Sequence, residues 1–111
     1  ICISNSGETM EMRATVTAIA NNGCKVIGIS RSPDSWLARH ADVHLTVRVD
    51  QEGGPMNRAP ISSVLLENIV LQALSVRLQA HYGLTPQEYV RHHPGGTLGR
   101  LRPEEQEAGH G

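Results

Sequence analysis

Phenylalanine is absent from this 111-residue chain, and only Trp36, Tyr82 and Tyr89 carry large aromatic rings. Without aromatics spread over a surface there is no platform on which nucleobases can stack. An excess of either charge is lacking too. Ten Lys and Arg stand against eleven Asp and Glu, mixed along the chain, for a net charge of −1. That leaves no electrostatic footprint for nucleic acid or an anionic membrane surface. No apolar run approaches the roughly 18 residues of a membrane span, and no signal-peptide pattern opens the sequence. Of the two cysteines, Cys2 and Cys24, each lies in or beside an apolar strand-like run, where a free thiol acts as a small hydrophobe and a disulfide scaffold is not expected. No compact His, Cys and carboxylate set has metal-ligand spacing. The expectation is a cytoplasmic domain with no metal, no nucleic-acid partner and no membrane partner. The length allows one domain, and a start in mid-strand without an initiator Met predicts the later part of a longer protein.

What the chain does have is alternation. Ile1 to Ser4 reads as a short strand, and Glu8 to Asn21 carries Met12, Val16 and Ile19 at helical spacing before the C-cap pair Asn22-Gly23. Lys25 to Ser30 is a second strand, followed by Ser32-Pro33-Asp34, which places an N-cap and a first-turn proline ahead of a short helix to about His40. Val43 to Val49 is a third strand. This order is the βαβ pattern of a parallel sheet.

After Asp50 comes a Gly- and Pro-rich loop, Gln51 to Pro60, and then a long helix from about Ser62 to Ala80. Asn68, Gln72, Ser75 and Gln79 form its one polar stripe, so it reads as a helix buried on several sides. Three strands offer too little surface to cover it, which predicts packing against further N-terminal elements or another subunit, in a homo-oligomer such as a dimer or tetramer. Thr85-Pro86-Gln87 opens a short helix to His92, and His93 to Arg100 forms a glycine-rich loop. Arg102 to Gly111 is acidic, contains Pro and Gly, lacks apolar spacing and reads as disordered.

Chemistry concentrates first in Ser4-Asn5-Ser6-Gly7-Glu8-Thr9. A strand that runs directly into such a turn and then a helix suits phosphate. Small residues allow close approach, hydroxyls donate to the oxygens, and first-turn N–H groups favour negative charge. The plain alternative is a strand-to-helix corner with Asn5 as N-cap and Glu8 completing a capping box.

Taken together, SNSGET with the following Glu11, the Ser-Pro-Asp-Ser turn, Ala41-Asp42-Val43-His44-Leu45, the Glu52 loop ending in Pro55, and HPGGTLGR resemble the sugar isomerase (SIS) domain, specifically its D-arabinose 5-phosphate isomerase-like branch. The likeness covers about residues 1 to 101, as a partial domain, with HPGG followed by LGR its most specific element. It implies a flavodoxin-like, doubly wound α/β domain of five parallel strands, of which this chain holds the last three, with ligand outside the carboxyl ends of the strands. Ser4, Ser6 and Thr9 match phosphate-binding positions, and Asn5 and Gly7 belong to the same turn. Glu11, Glu52 and His93 match residues proposed for acid/base work. A lysine used by the family lies before the first strand seen here, so this fragment is not expected to be a complete catalyst.

The implied reaction interconverts aldose and ketose phosphates through an enediol, with no organic cofactor. That needs a carboxylate-like base over the carbons and a donor for the oxygens, for which Glu and His are suited. Glu8 reads instead as a helix-dipole residue, and Ser62 and Ser63 as caps. The chain departs from the family at Gly53-Gly54-Pro55, where Ala-Cys-Pro is usual, and at Ile61-Ser62-Ser63-Val64, where Thr-Ser-Ser-Thr is usual. The lost hydroxyls leave open which phosphosugar is bound. Two other functions fit the residues: a non-catalytic phosphosugar-binding module, and a lyase or etherase acting on an acidic, N-acetylated sugar phosphate.

Overall fold

The computed structural model describes residues 1–107. The chain divides into two compact units, Ile1–Gln72 and Ala73–Gly111. The first contains β1 (Cys2–Ile3), α1 (Met10–Asn21), β2 (Ile27–Ser30), α2 (Trp36–His40), β3 (Val43–Thr46) and the start of α3 (Ser62–Tyr82). The three strands form one parallel sheet in the order β1-β2-β3, with Ile3 beside Ile29 and Ile29 beside Leu45. The α/β architecture and every strand-helix alternation expected up to Thr46 are present. The strands are shorter than the apolar runs suggested: Ile1, Ser4, Lys25, Val26 and the residues after Thr46 fall outside β1, β2 and β3.

Helical spacing in α1 places Val16 in the core with Met12 and Ile19 beside it, packed with Cys2, Val26 and Leu37. Ile29 and Leu37 are fully buried. Gly28 permits this packing. A Cβ there would lie 2.9 Å from Ala41 Cβ and 3.0 Å from Leu37 Cγ, so the missing side chain lets α2 settle on β2.

Two helix starts differ from the sequence expectation. α1 begins at Met10 behind Thr9, rather than at Glu8 behind Asn5, because Gly7 takes a left-handed φ of +69° and keeps the chain in the turn. α2 is capped by Ser35, whose Oγ accepts from Ala38 N at 3.1 Å, while Ser32 Oγ accepts from Asp34 N within a preceding turn. Beneath both lies a polar cluster. Buried Ser30 Oγ is 2.8 Å from Ser35 Oγ and 2.8 Å from His44 Nε2.

The second unit holds the end of α3, then α4 (Pro86–His92), a 3-10 turn (Thr97–Gly99) and α5 (Pro103–Glu107). Gly83, at φ +63°, ends α3. α4 starts in a reciprocal capping box, with Thr85 Oγ1 accepting from Glu88 N and a Glu88 carboxylate oxygen accepting from Thr85 N. Part of the segment expected to be disordered is helical. Proline opens α5, Glu104 and Glu105 suit its positive end, and a Glu105 carboxylate oxygen accepts from Arg102 N at 2.8 Å. Residues 108–111 of that segment lie outside the described residues. Among the described residues no helix is long and apolar enough to cross a membrane.

α3 has the length its pattern required, and its apolar side chains lie uncovered among the described residues, in keeping with the expectation that three strands offer it too little surface. Ser63 is its one buried residue among those described, whereas Val64, Leu65, Ile69, Val76 and Leu78 are all exposed.

Candidate functional site

The turn after β1 is built by its own residues. Ser4 N continues the ladder to Ile29 O at 3.0 Å, and Ser4 Oγ accepts from Gly7 N at 3.1 Å while lying 3.0 Å from Thr9 Oγ1. Ser6 Oγ accepts from Glu8 N. Gly7 itself is buried under the turn, its carbonyl accepting from Leu37 N at 3.0 Å. It shapes the turn from below, while the hydroxyls lie above. Thr9 makes no side-chain cap to α1, so the first-turn N–H groups of that helix keep their capacity for an anion.

Beside this turn is an open cleft of about 380 Å³. Ser4, Asn5, Thr9 and Glu11 line one wall; Pro60, Ser63, Val64 and Glu67 line the other. Glu11 projects from the first turn of α1 and is exposed. Glu67 was not singled out from the sequence. Its signal was available, since it is the only acidic residue of α3 and follows Ser63 by one turn on the same face. Partial burial, and secondarily the negative charge of Glu52, push its pKa up.

Glu52 has a different setting. Its carboxylate accepts from Ile61 N at 2.9 Å and from Ser63 N at 3.1 Å, so it caps the exposed N-terminus of α3. Its backbone carbonyl accepts from Ser62 Oγ at 3.0 Å, and its N–H donates to Asn57 Oδ1 at 2.6 Å. The Ser63 hydroxyl and then the N–H groups of Ser63 and Ile61 hold its pKa below the ordinary value. The cap expected of Ser62 and Ser63 is thus supplied by Glu52, and the Ser62 hydroxyl donates to the Glu52 carbonyl instead. Glu52 also lines a second, polar cleft of about 320 Å³, which shares Asn5 and Pro60 with the first.

Glu8 belongs to neither cleft. One carboxylate oxygen accepts from Trp36 N at 2.8 Å and the other pairs with Arg13, whose guanidinium lies over the Trp36 ring. The Trp36 N–H first, then Arg13, lower its pKa. The structural role expected of it is thus exercised on α2, not on the helix that follows it. His93 is in the second unit, exposed, at the C-cap of α4, with its ring stacked on Tyr89 at 4.6 Å. A Cβ on Gly99 would lie 2.5 Å from His93 O, so glycine is required for the HPGGTLG loop to fold back on itself.

Residues 1–77 match the SIS domain. The arabinose 5-phosphate isomerase KdsD of Salmonella typhi is 41% identical over 100 residues, covering 90% of this chain and 30% of that protein. The arabinose 5-phosphate isomerase KdsD of Pseudomonas aeruginosa is 37% identical over 100 residues, 90% of this chain and 31% of its own. Among solved structures, an E. coli CFT073 protein in complex with a sugar phosphate superposes with a TM-score of 0.75 at 32% identity, covering 83% of this chain and 49% of that one. The chain thus spans about 30% of the length of the curated relatives it matches.

Proposed function

The chain belongs to the SIS domain family, and from that premise we propose that it forms part of a cytoplasmic phosphosugar isomerase that interconverts arabinose 5-phosphate and ribulose 5-phosphate, or a close pair. The observation that carries this reading is the cleft where Ser4 and Thr9 hydroxyls, the uncapped start of α1 and the Glu11 carboxylate stand together. Phosphate binds at the turn, through Ser4, Asn5, Ser6 and Thr9 over the Gly7 corner, and anchors the sugar carbons along the cleft.

Glu11 takes the proton from C2 of the aldose while O1 gains a proton, giving the enediol. Return of a proton to C1 with loss of the O2 proton gives the ketose. Glu52 and His93 are further acid/base candidates, as the family resemblance implies. A positioned acid or base of this kind contributes on the order of 10²–10⁴ in rate. The test is turnover of arabinose 5-phosphate by the full-length protein. Glu11→Gln is expected to lower kcat by about 10²–10⁴ with KM little changed, and Glu52→Gln and His93→Ala to lower it as well. Wild-type rates in all three variants would remove the assignment.

A second reading, a phosphosugar sensor that binds without converting, is favoured by one observation: the Glu52 carboxylate is engaged by two backbone N–H groups, which weakens it as a base. Calorimetry separates the two readings. A sensor gives tight binding of the sugar phosphate and returns the sugar unchanged after hours. Assembly into a homo-oligomer also belongs to the proposal, supported by the exposed apolar side chains of α3.

A further inference from the structure

The second cleft sits at the carboxyl ends of all three strands, since Asn5 follows β1, Arg31 follows β2, and Val49 and Asp50 follow β3. In open parallel sheets this end is where ligands bind. Arg31 is fixed there by its backbone, whose N–H donates to Asn5 O at 2.9 Å. Arg58 enters from the loop, one residue after Asn57, which takes a left-handed φ of +49° and holds Glu52 N.

The cleft also holds two carboxylates. Glu52 faces the N–H groups of Ile61 and Ser63, and Asp50 lies 3.8 Å from Arg48 Nε. Among the described residues, neither Arg31 nor Arg58 has a carboxylate within 4.0 Å or a side-chain hydrogen bond to the protein, a state they share with Arg77, Arg91 and Arg100, none of which lines this cleft. Arg31 and Arg58, both exposed, thus line one cleft with no protein acceptor for their planar donors among the described residues. That donor geometry suits carboxylate or phosphate.

We infer that Arg31 and Arg58 form a subsite for a second anionic group, carboxylate or phosphate, on a ligand whose first phosphate occupies the Ser4–Thr9 turn. Asn5 and Pro60 line both clefts, so the two groups of one ligand are received side by side. The inference rests on the phosphosugar reading above and deepens it. It assigns to this chain acidic or doubly phosphorylated sugars, as substrates or as inhibitors of a monophosphate reaction.

The experiment is calorimetry on the full-length protein with three inert ligands of one carbon skeleton: arabinitol 5-phosphate, arabinonate 5-phosphate and arabinitol 1,5-bisphosphate. Wild type is expected to bind at least one doubly anionic ligand about tenfold or more tighter than arabinitol 5-phosphate. The arm showing the preference identifies the second group as carboxylate or phosphate. In Arg31→Gln/Arg58→Gln the ratio is expected to fall to within about twofold, and in Arg31→Lys/Arg58→Lys to an intermediate value. Using a ratio within each protein removes any general effect on folding. Equal binding of all three ligands by wild type, or a ratio that survives in the Gln variant, overturns the subsite and leaves the isomerase reading standing. Failure of arabinitol 5-phosphate itself to bind overturns both.

Discussion

Three glutamates near the turn show how surroundings, not residue type, assign roles. Glu8 and Glu52 each lie before a helix, and each spends its charge on the N-terminal N–H groups of one, α2 and α3 respectively. Glu67 has no such partner among the described residues; the side chains that share its wall and the wall opposite include the carboxylate of Glu11, and Glu52 adds a further negative charge. Its raised pKa has a stability consequence. Well below its ordinary value of 4.5 the group is neutral in both folded and unfolded chains, and folding carries no penalty. As pH rises through the folded value, the unfolded chain ionises more readily, and the fold becomes relatively less stable. Above that value the penalty is complete. Glu67→Gln is therefore expected to raise the melting temperature at about pH 7, with the gain vanishing toward about pH 4. Equal melting temperatures for the two proteins at both pH values would contradict the assignment.

At the scale of elements, apolar periodicity made the parallel sheet and the helices legible, and the Ser, Gly and Thr composition made the turn legible. The caps were not. Glu8 caps a helix 28 residues away, and Glu52 reaches nine and eleven residues on, whereas sequence rules for caps see three or four. The departure at Gly53-Gly54 has its explanation in the same loop. Both glycines take left-handed φ, +75° and +72°, a conformation that side-chain-bearing residues adopt at a cost. The turn itself depends on Gly7 in the same way. Its φ is +69°, and a Cβ there would lie 2.4 Å from Ser35 Oγ and 3.1 Å from Ser30 Cβ. Gly7→Ala adds backbone strain of about 1–2 kcal/mol and an overpacking cost of about 1–3 kcal/mol. Because the strained atoms carry Ser4, Ser6 and Thr9, affinity for a sugar phosphate is expected to fall together with the denaturation midpoint. Loss of either one without the other would separate the turn's architecture from its binding role.

At the scale of the molecule, α3 poses the remaining physical problem. Leu65 and Ile69 stand four residues apart, on one face of the helix, and are 63% and 64% exposed. Covering each is worth about 1.5–3 kcal/mol, more than a domain of this size readily forgoes. Periodicity identified the helix and its excess of apolar surface, but periodicity is a property of one segment and says nothing of which other surface meets it. Two occupants fit, further elements of the protein's own chain or a second copy of it, and the oligomeric state of the full-length protein separates them. For the full-length protein, light scattering is expected to give a multiple of the monomer mass, and its melting temperature to rise with protein concentration, as binding linkage requires. Leu65→Lys with Ile69→Lys is expected to reduce the mass to that of a smaller species and to abolish the concentration dependence. An unchanged mass with a uniformly lowered melting temperature would instead place these side chains against the protein's own chain, where lysines disturb the fold without touching an interface between copies.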